Sequence, residues 1–177
     1  MIRTNGLKTD YKPLEVVSEV DNIYIVRWDY AEVKEYDPET ESSIDTDMAV
    51  WAEEIIYHKP NEDEMRRMIN DYYNSMTTDR ILRGFVWNDM MIWLSEENQH
   101  NYKAIYDIAI QTGGVNLPVE FKFGTEDLPV YQVFHTVEEL QKFSLPMQEY
   151  IQQCLTNGWR LKDMVDYSLY KVKDMEE

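Results

Sequence analysis

The chain has little of what builds a reactive centre or a cross-linked scaffold. Its 177 residues include one cysteine, three histidines, six glycines and six prolines. A single cysteine, Cys154, excludes an intrachain disulfide. His58, His100 and His135 lie far apart, in no His-x-x-x-His or His-Glu-x-x-His spacing, so no zinc-type ligand set is expected. Gly113-Gly114 and Gly124 sit in neither a G-x-G-x-x-G nor a Walker pattern, and read as a helix stop and a turn. Positive charge is scarce as well: Lys and Arg total 17 against 34 Asp and Glu, a formal charge of −17. A field of that sign argues against direct binding of nucleic acid or an anionic membrane, which needs clustered Lys and Arg. No apolar run approaches the roughly 18 residues of a membrane span, and the first residues lack the apolar stretch of a secretory signal. The expectation is folding in a reducing cytoplasm.

What the chain does have is aromatic and apolar mass. Aromatics make up 13% of it, with 13 Tyr and 5 Trp, and 44% is hydrophobic. A chain of this length buries roughly 70% of the surface its unfolded form exposes, so a real core is available.

The first 59 residues differ in character from the rest. Ile23-Tyr24-Ile25-Val26-Arg27-Trp28 is β-branched and aromatic and reads as a strand. Met48-Ala49-Val50-Trp51, running on to Tyr57, is a second. Polar, acidic Asp37–Ser43 lies between them, which predicts a long hairpin with Tyr24, Val26, Trp28 and Tyr30 on one face. Because an isolated hairpin is marginal in water, that face must pack on the body or on a partner. Eight acids from Asp29 to Asp47 fall in this stretch, opposed only by Lys34.

From Asn61 the period changes. Asn61 with Glu64 opens a helix carrying Met65, Met68, Ile69, Tyr72, Tyr73 and Met76, expected to stop at Thr77-Thr78-Asp79. Phe85–Ile92 reads as a tight hairpin around Asn88-Asp89, apolar on both faces and therefore expected to be covered on both, with Trp87 and Trp93 in the core. Ser95 caps a helix with Tyr102, Ile105, Tyr106 and Ala109 as its stripe, stopped by Gly113-Gly114. Val119–Phe123 and Val130–Phe134 form another hairpin. Thr136 and Glu139 box the start of a last long helix, with a kink or restart expected near Ser144 from Pro146 and an end at Asn157-Gly158. The tail beyond Trp159 fits a helix or a strand.

Few residues offer chemistry. Cys154 with His135 could pair as nucleophile and base, but Cys154 falls on an apolar helix stripe and reads as an inert core thiol. Asp37, Glu39, Glu41, Asp45 and Asp47 alternate as in a calcium loop, yet lack its central Gly and closing Glu, and read as a solvated, self-repelling loop. No catalytic, cofactor or metal residue is expected, and no enzyme. Exposed Trp and Tyr next to acids are a better signal: Trp28, Tyr30 and Tyr36 with Asp37, Glu39 and Glu41 are the candidate protein-interaction residues.

The central strings resemble a known family. Arg80–Asn88, Trp93–Ala104, Leu117–Thr125, Glu138-Glu139-Leu140 and Tyr150–Leu155 through to Gly158-Trp159 are similar to a family of uncharacterised phage and prophage proteins, over about residues 60–167. Pro146 departs from it, where related sequences run on as unbroken helix, and His100 stands where an aromatic is commoner. Members are often encoded near tail or tail-fibre genes, which implies a tail-associated role; no reaction or site residue comes with the resemblance.

The expectation is therefore an α+β fold of antiparallel β-hairpins with three main helices. Residues 1–59 would form an N-terminal β-hairpin arm for attachment, and 60–177 an α+β domain. The expected function is a non-enzymatic phage tail-associated protein, either a tail or tail-fibre assembly chaperone or a small structural or adaptor component. Its partners would be phage tail or tail-fibre proteins, with a homo-oligomer also open. It would act in the host cytoplasm during assembly, or in the virion tail. The competing expectation is an acidic anti-defence protein that mimics DNA charge.

Overall fold

Strand β3 (Ile23–Asp37) and strand β4 (Ser42–Ile56) pair antiparallel as one long hairpin, as their β-branched and aromatic content predicts. The structure, a computed structural model, describes residues 1–125 and 127–172. Two strands not expected from the sequence widen the base of the hairpin. β1 (Ile2–Leu7) pairs with β4 and β2 (Leu14–Ser18) with β3, giving the order β1-β4-β3-β2. Ile2–Leu7 contains Asn5 and Gly6, poor strand formers, so its conformation comes from the partner strand rather than from propensity. Gly6 is required there: a Cβ would press on the Trp51 indole.

The expected face of β3 holds only as far as Trp28. Tyr24, Val26 and Trp28 are buried, but an extra residue is inserted between Trp28 and Ala31 and Asp29 takes φ +55. Such a bulge breaks the period of two. Tyr30 is thereby removed from the buried row, is exposed, and lies with its ring 4.7 Å from that of Tyr11.

The chain packs as two compact units, one of Met1–Asn70 with the chain from Val165 onward, the other Asp71–Met164. The division falls inside helix α1 (Glu62–Gly84). Arg27 ties the first unit together. Its Nε donates to Glu53 at 2.9 Å and its Nη1 to Glu15 at 2.6 Å, while its carbonyl accepts from the hydroxyls of Tyr170 (2.8 Å) and Tyr11 (3.3 Å). Burial opposes the guanidinium charge, but the Glu15 and Glu53 carboxylates outweigh it, and Arg27 titrates above its ordinary value. Tyr170, on a short 3₁₀ turn (Tyr167–Tyr170), is buried, and Arg66 lies 4.1 Å over the Tyr167 ring. The ambiguous tail is thus a helix end, Trp159 to Asp163, followed by this turn.

The second unit is built around Phe143. Six aromatic rings surround it at 5.3–6.3 Å: Phe85, Trp87, Tyr102, Phe121, Phe123 and Phe134. They come from β5 (Phe85–Trp87), helix α2 (Glu96–Thr112), β7 (Val119–Gly124) and β8 (Pro129–Phe134), with Phe143 itself on helix α3 (Val137–Asp163). Each edge-to-face contact adds roughly 0.5–1.5 kcal/mol beyond area burial. The caps are as expected: Ser95 accepts from the Asn98 amide, Thr136 from the Glu139 amide, and Gly113 closes α2 at φ +65.

Three local expectations are corrected in this unit. α1 does not stop at Thr77-Thr78-Asp79 but runs on to Gly84; the Thr77 hydroxyl bonds back to the Tyr73 carbonyl, and buried Ile81 extends the apolar stripe. α3 neither restarts at Pro146 nor ends at Gly158. Buried Phe143, Met147 and Cys154 continue one face through the proline, which removes a single backbone hydrogen bond. The hairpin of β5 and β6 (Met90–Ile92) turns at Asn88 and Asp89, φ +48 and +62, but is covered on one face only. Phe85 and Ile92 are buried and Trp87 packs on the core, whereas Val86, Met91 and Trp93 are exposed.

Two changes test these contacts. Arg27→Ala leaves Glu15 and Glu53 facing each other without their cation. It is expected to cost about 3 kcal/mol, near the low end for a broken buried pair because water reaches Glu15. Amide exchange in β2–β4 during urea titration reads it. A Cβ at Gly158 would overlap the Thr77 hydroxyl. Gly158→Ala should therefore destabilise by about 1–3 kcal/mol despite its better helix propensity. Thr77→Ala in the same chain should recover part of the loss, which a thermal double-mutant cycle measures.

Candidate interaction surface

Beyond the ends of β1 and β2, β3 and β4 continue as a two-stranded ribbon. There Lys34 pairs with Asp45, Glu35 with Ile44, Tyr36 with Ser43 and Asp37 with Ser42. A local hydrogen-bond set orders the tip. Asp37 Oδ1 accepts the Glu39 amide at 2.9 Å and its Oδ2 accepts the Thr40 hydroxyl at 2.7 Å, while Glu41 takes φ +50. This is an Asx turn, which Asp supplies by bonding to backbone two residues on. The Thr40 hydroxyl first, and then the Glu39 amide, hold the Asp37 carboxyl below its usual range.

The candidate residues separate into two groups. Tyr36, Glu39 and Glu41 are exposed at the ribbon end, Tyr36 at 67%, with Asp37 half-buried between them. Trp28 is 1% exposed and belongs to the body of the unit, so it presents no surface to a partner. Tyr30 lies back at the bulge beside Tyr11. The acidic window is also less bare than its sequence. Arg3 holds Asp29 at 2.6 Å and Lys8 holds Glu32 at 2.7 Å, both from the β1 side, and Lys34 holds Asp45 at 3.1 Å. Among the described residues of this window Glu35, Asp37, Glu39, Glu41 and Asp47 have no ion-pair partner. Most of this unpaired charge lies on the outer ribbon and its tip, with Asp47 at the root beside the Leu7–Met48 pair.

The other groups weighed for chemistry do not converge. Cys154 is buried in the Phe143 core. His58 contacts Glu64 at 2.6 Å, and the His135 amide donates to Glu139 within the α3 cap. Among the described residues no cluster of His, Cys, Asp or Glu could hold a metal. A cavity of about 330 Å³ between α2 and α3 is lined by Glu96, Gln99, His100, Lys103 and Gln148 over Met147.

Residues 62–176 match the domain of unknown function DUF4376. The chain belongs to this family. The DUF4376 span starts at the first residue of α1 and takes in the whole Phe143 core, while the β1–β4 sheet with its acidic ribbon lies outside it. No curated protein and no solved structure matches the chain. No helix among the described residues is long and apolar enough to cross a membrane.

The tip is a pH-dependent element of known sign. Asp37 titrates below its ordinary 3.8 in the folded arm, so its contribution to order is present above that value and is lost as pH falls through the lowered one. Protection of the Glu39 amide should be constant at neutral pH and fall away as pH drops through the lowered Asp37 value. Asp37→Asn should weaken the turn at neutral pH and remove its pH dependence, while leaving the global transition essentially unchanged. Proton NMR of the Glu39 amide reads both.

Proposed function

We propose that this DUF4376 protein is a non-enzymatic, phage tail-associated protein that engages a tail or tail-fibre partner through its N-terminal arm. The observation that carries the reading is the ribbon end: Tyr36 exposed beside Asp37, Glu39 and Glu41, on a two-stranded extension with no core of its own. An exposed aromatic on an acidic ribbon end suits recognition of a basic protein surface. The link to tails rests on the resemblance of the strings from Arg80 to Trp159 to phage and prophage proteins. The reading covers two fates, an assembly chaperone that leaves or an adaptor that stays in the particle. The DNA-mimic alternative is weakened because Asp29, Glu32 and Asp45 are neutralised by Arg3, Lys8 and Lys34, which interrupts the row of free carboxylates along the arm.

Mass spectrometry of purified particles, combined with deletion of the gene, separates these fates. A stoichiometric protein marks a component. Near-absence together with defective tails on deletion marks a chaperone. Absence from particles with normal tails removes both. In either supported case, Tyr36→Ala combined with Glu39→Gln and Glu41→Gln should reproduce the deletion while the purified protein keeps its melting temperature.

A further inference from the structure

Helices α2 and α3 face each other across a recess of about 330 Å³ in which apolar packing gives way to polar side chains. Met147, 1% exposed, and half-buried Ile151 make its floor. The same α3 face continues to Gln148 and Gln152, and α2 brings Glu96, Gln99, His100 and Lys103 at helical spacing. Hydrogen bonds made within the second unit decide what this wall offers. Gln99 Nε2 donates to the Leu94 carbonyl at 2.8 Å. A carbonyl only accepts, so the amide nitrogen must be the end turned to it, and the side-chain oxygen is left for a ligand. Gln152 Nε2 likewise donates to the Thr156 hydroxyl at 3.3 Å. The Glu96 carboxylate makes no ion pair or hydrogen bond among the described residues, whereas the Lys103 ammonium is held by Asp107 one turn on. The recess is therefore rich in acceptors, and its lysine is already engaged.

We propose that this recess binds a single small organic cation, an alkylammonium or guanidinium head on a short apolar stem. The stem covers Met147 and Ile151, and the head donates to the Gln99 and Gln152 oxygens and to Glu96 at the rim. An ammonium or guanidinium has donors only, which matches a wall of acceptors. A carboxylate or phosphate would instead set its oxygens against oxygens. The long-range field has the same preference, since a chain of −17 draws cations and repels anions. A volume of about 330 Å³ lies at the small end of ligand pockets, which limits the occupant to one head and a few carbons. Plain counterion attraction would favour the ribbon acids at least as much, so the apolar floor is what sets this place apart. The site lies inside the DUF4376 span and is independent of the tail-associated reading.

Titration of the isotopically labelled full chain with n-butylammonium and n-butylguanidinium chloride, followed by amide NMR at constant ionic strength, is the test. Saturable shifts are expected at Gln99, His100, Gln148 and Ile151, with a Kd of about 1 mM for ligands this small. Methylammonium, which lacks the stem, should bind roughly tenfold more weakly or worse. n-Butyrate, of the same length and opposite charge, should give no shift. Two rim substitutions carry opposite expected signs. Glu96→Gln should weaken butylammonium roughly threefold, and Lys103→Ala, which frees Asp107, should tighten it by a similar factor. Both side chains are exposed, so both variants keep the fold, which circular dichroism confirms. A capped tripeptide with a central arginine identifies the source of the head. Affinity equal to that of butylguanidinium fits a free amine or guanidine, and tighter binding fits an arginine on a partner chain. Butyrate binding, with the two substitutions reversed in sign, overturns the proposal. Shifts equal for methylammonium and butylammonium, and strongest at Glu35, Glu39 and Glu41, overturn it too, as does the absence of saturable shifts with either butyl cation.

Discussion

The N-terminal unit depends on one buried cation. A guanidinium under a sheet is costly to desolvate, and Arg27 is tolerable there because two carboxylates from the flanking strands meet its Nε and Nη1. The geometry this demands is specific. Glu53 must lie across the β3–β4 ladder from Arg27, and Glu15 must come from β2 on the other side. The Arg27 carbonyl meanwhile receives Tyr11 from the turn after β1 and Tyr170 from the chain's far end. One residue thereby sets the register of three strands and fixes two loops. The ribbon can extend past β1 and β2 because its base is held in this way.

The second unit is organised on different physics. Phe143 meets rings from β5, α2, β7 and β8, and this aromatic packing is non-ionic and insensitive to salt. The family match coincides with that core and not with the Arg27 sheet. A core of interlocked rings tolerates little change in volume, since overpacking and cavities both cost kilocalories. The sheet and its ribbon carry instead the ordered acidic tip and the bulge at Asp29.

The net charge reads differently once it has a location. The 34 acids against 17 bases suggest a uniformly repelling molecule. In the folded arm, Arg3 and Lys8 are brought from 24 to 26 positions away to neutralise Asp29 and Glu32 at its root. The charge left without ion-pair partners lies mostly outward, at Glu35, Asp37, Glu39 and Glu41, with Asp47 at the root.

Local chemistry in the sequence determined much of this protein. The α+β class, the caps at Ser95 and Thr136, the Asn88-Asp89 turn and the β3–β4 hairpin all follow from side chains acting on backbone within a few residues. The same holds for the grouping of Tyr36 with Asp37, Glu39 and Glu41. What required the tertiary structure depends on partners distant in the chain. Ile2–Leu7 is a strand only because β4 is beside it, and α1 and α3 run through Thr77 and Pro146 because buried faces outweigh local breakers. Trp28 is core and not an anchor because it lies on the covered face of the sheet, while the bulge at Asp29 takes Tyr30 off that face. Even the outer face of β3 was half visible, since Ile23 and Ile25 alternate with Tyr24 and Val26. Periodicity shows that both faces of β3 are apolar; only packing decides which one the chain covers for itself.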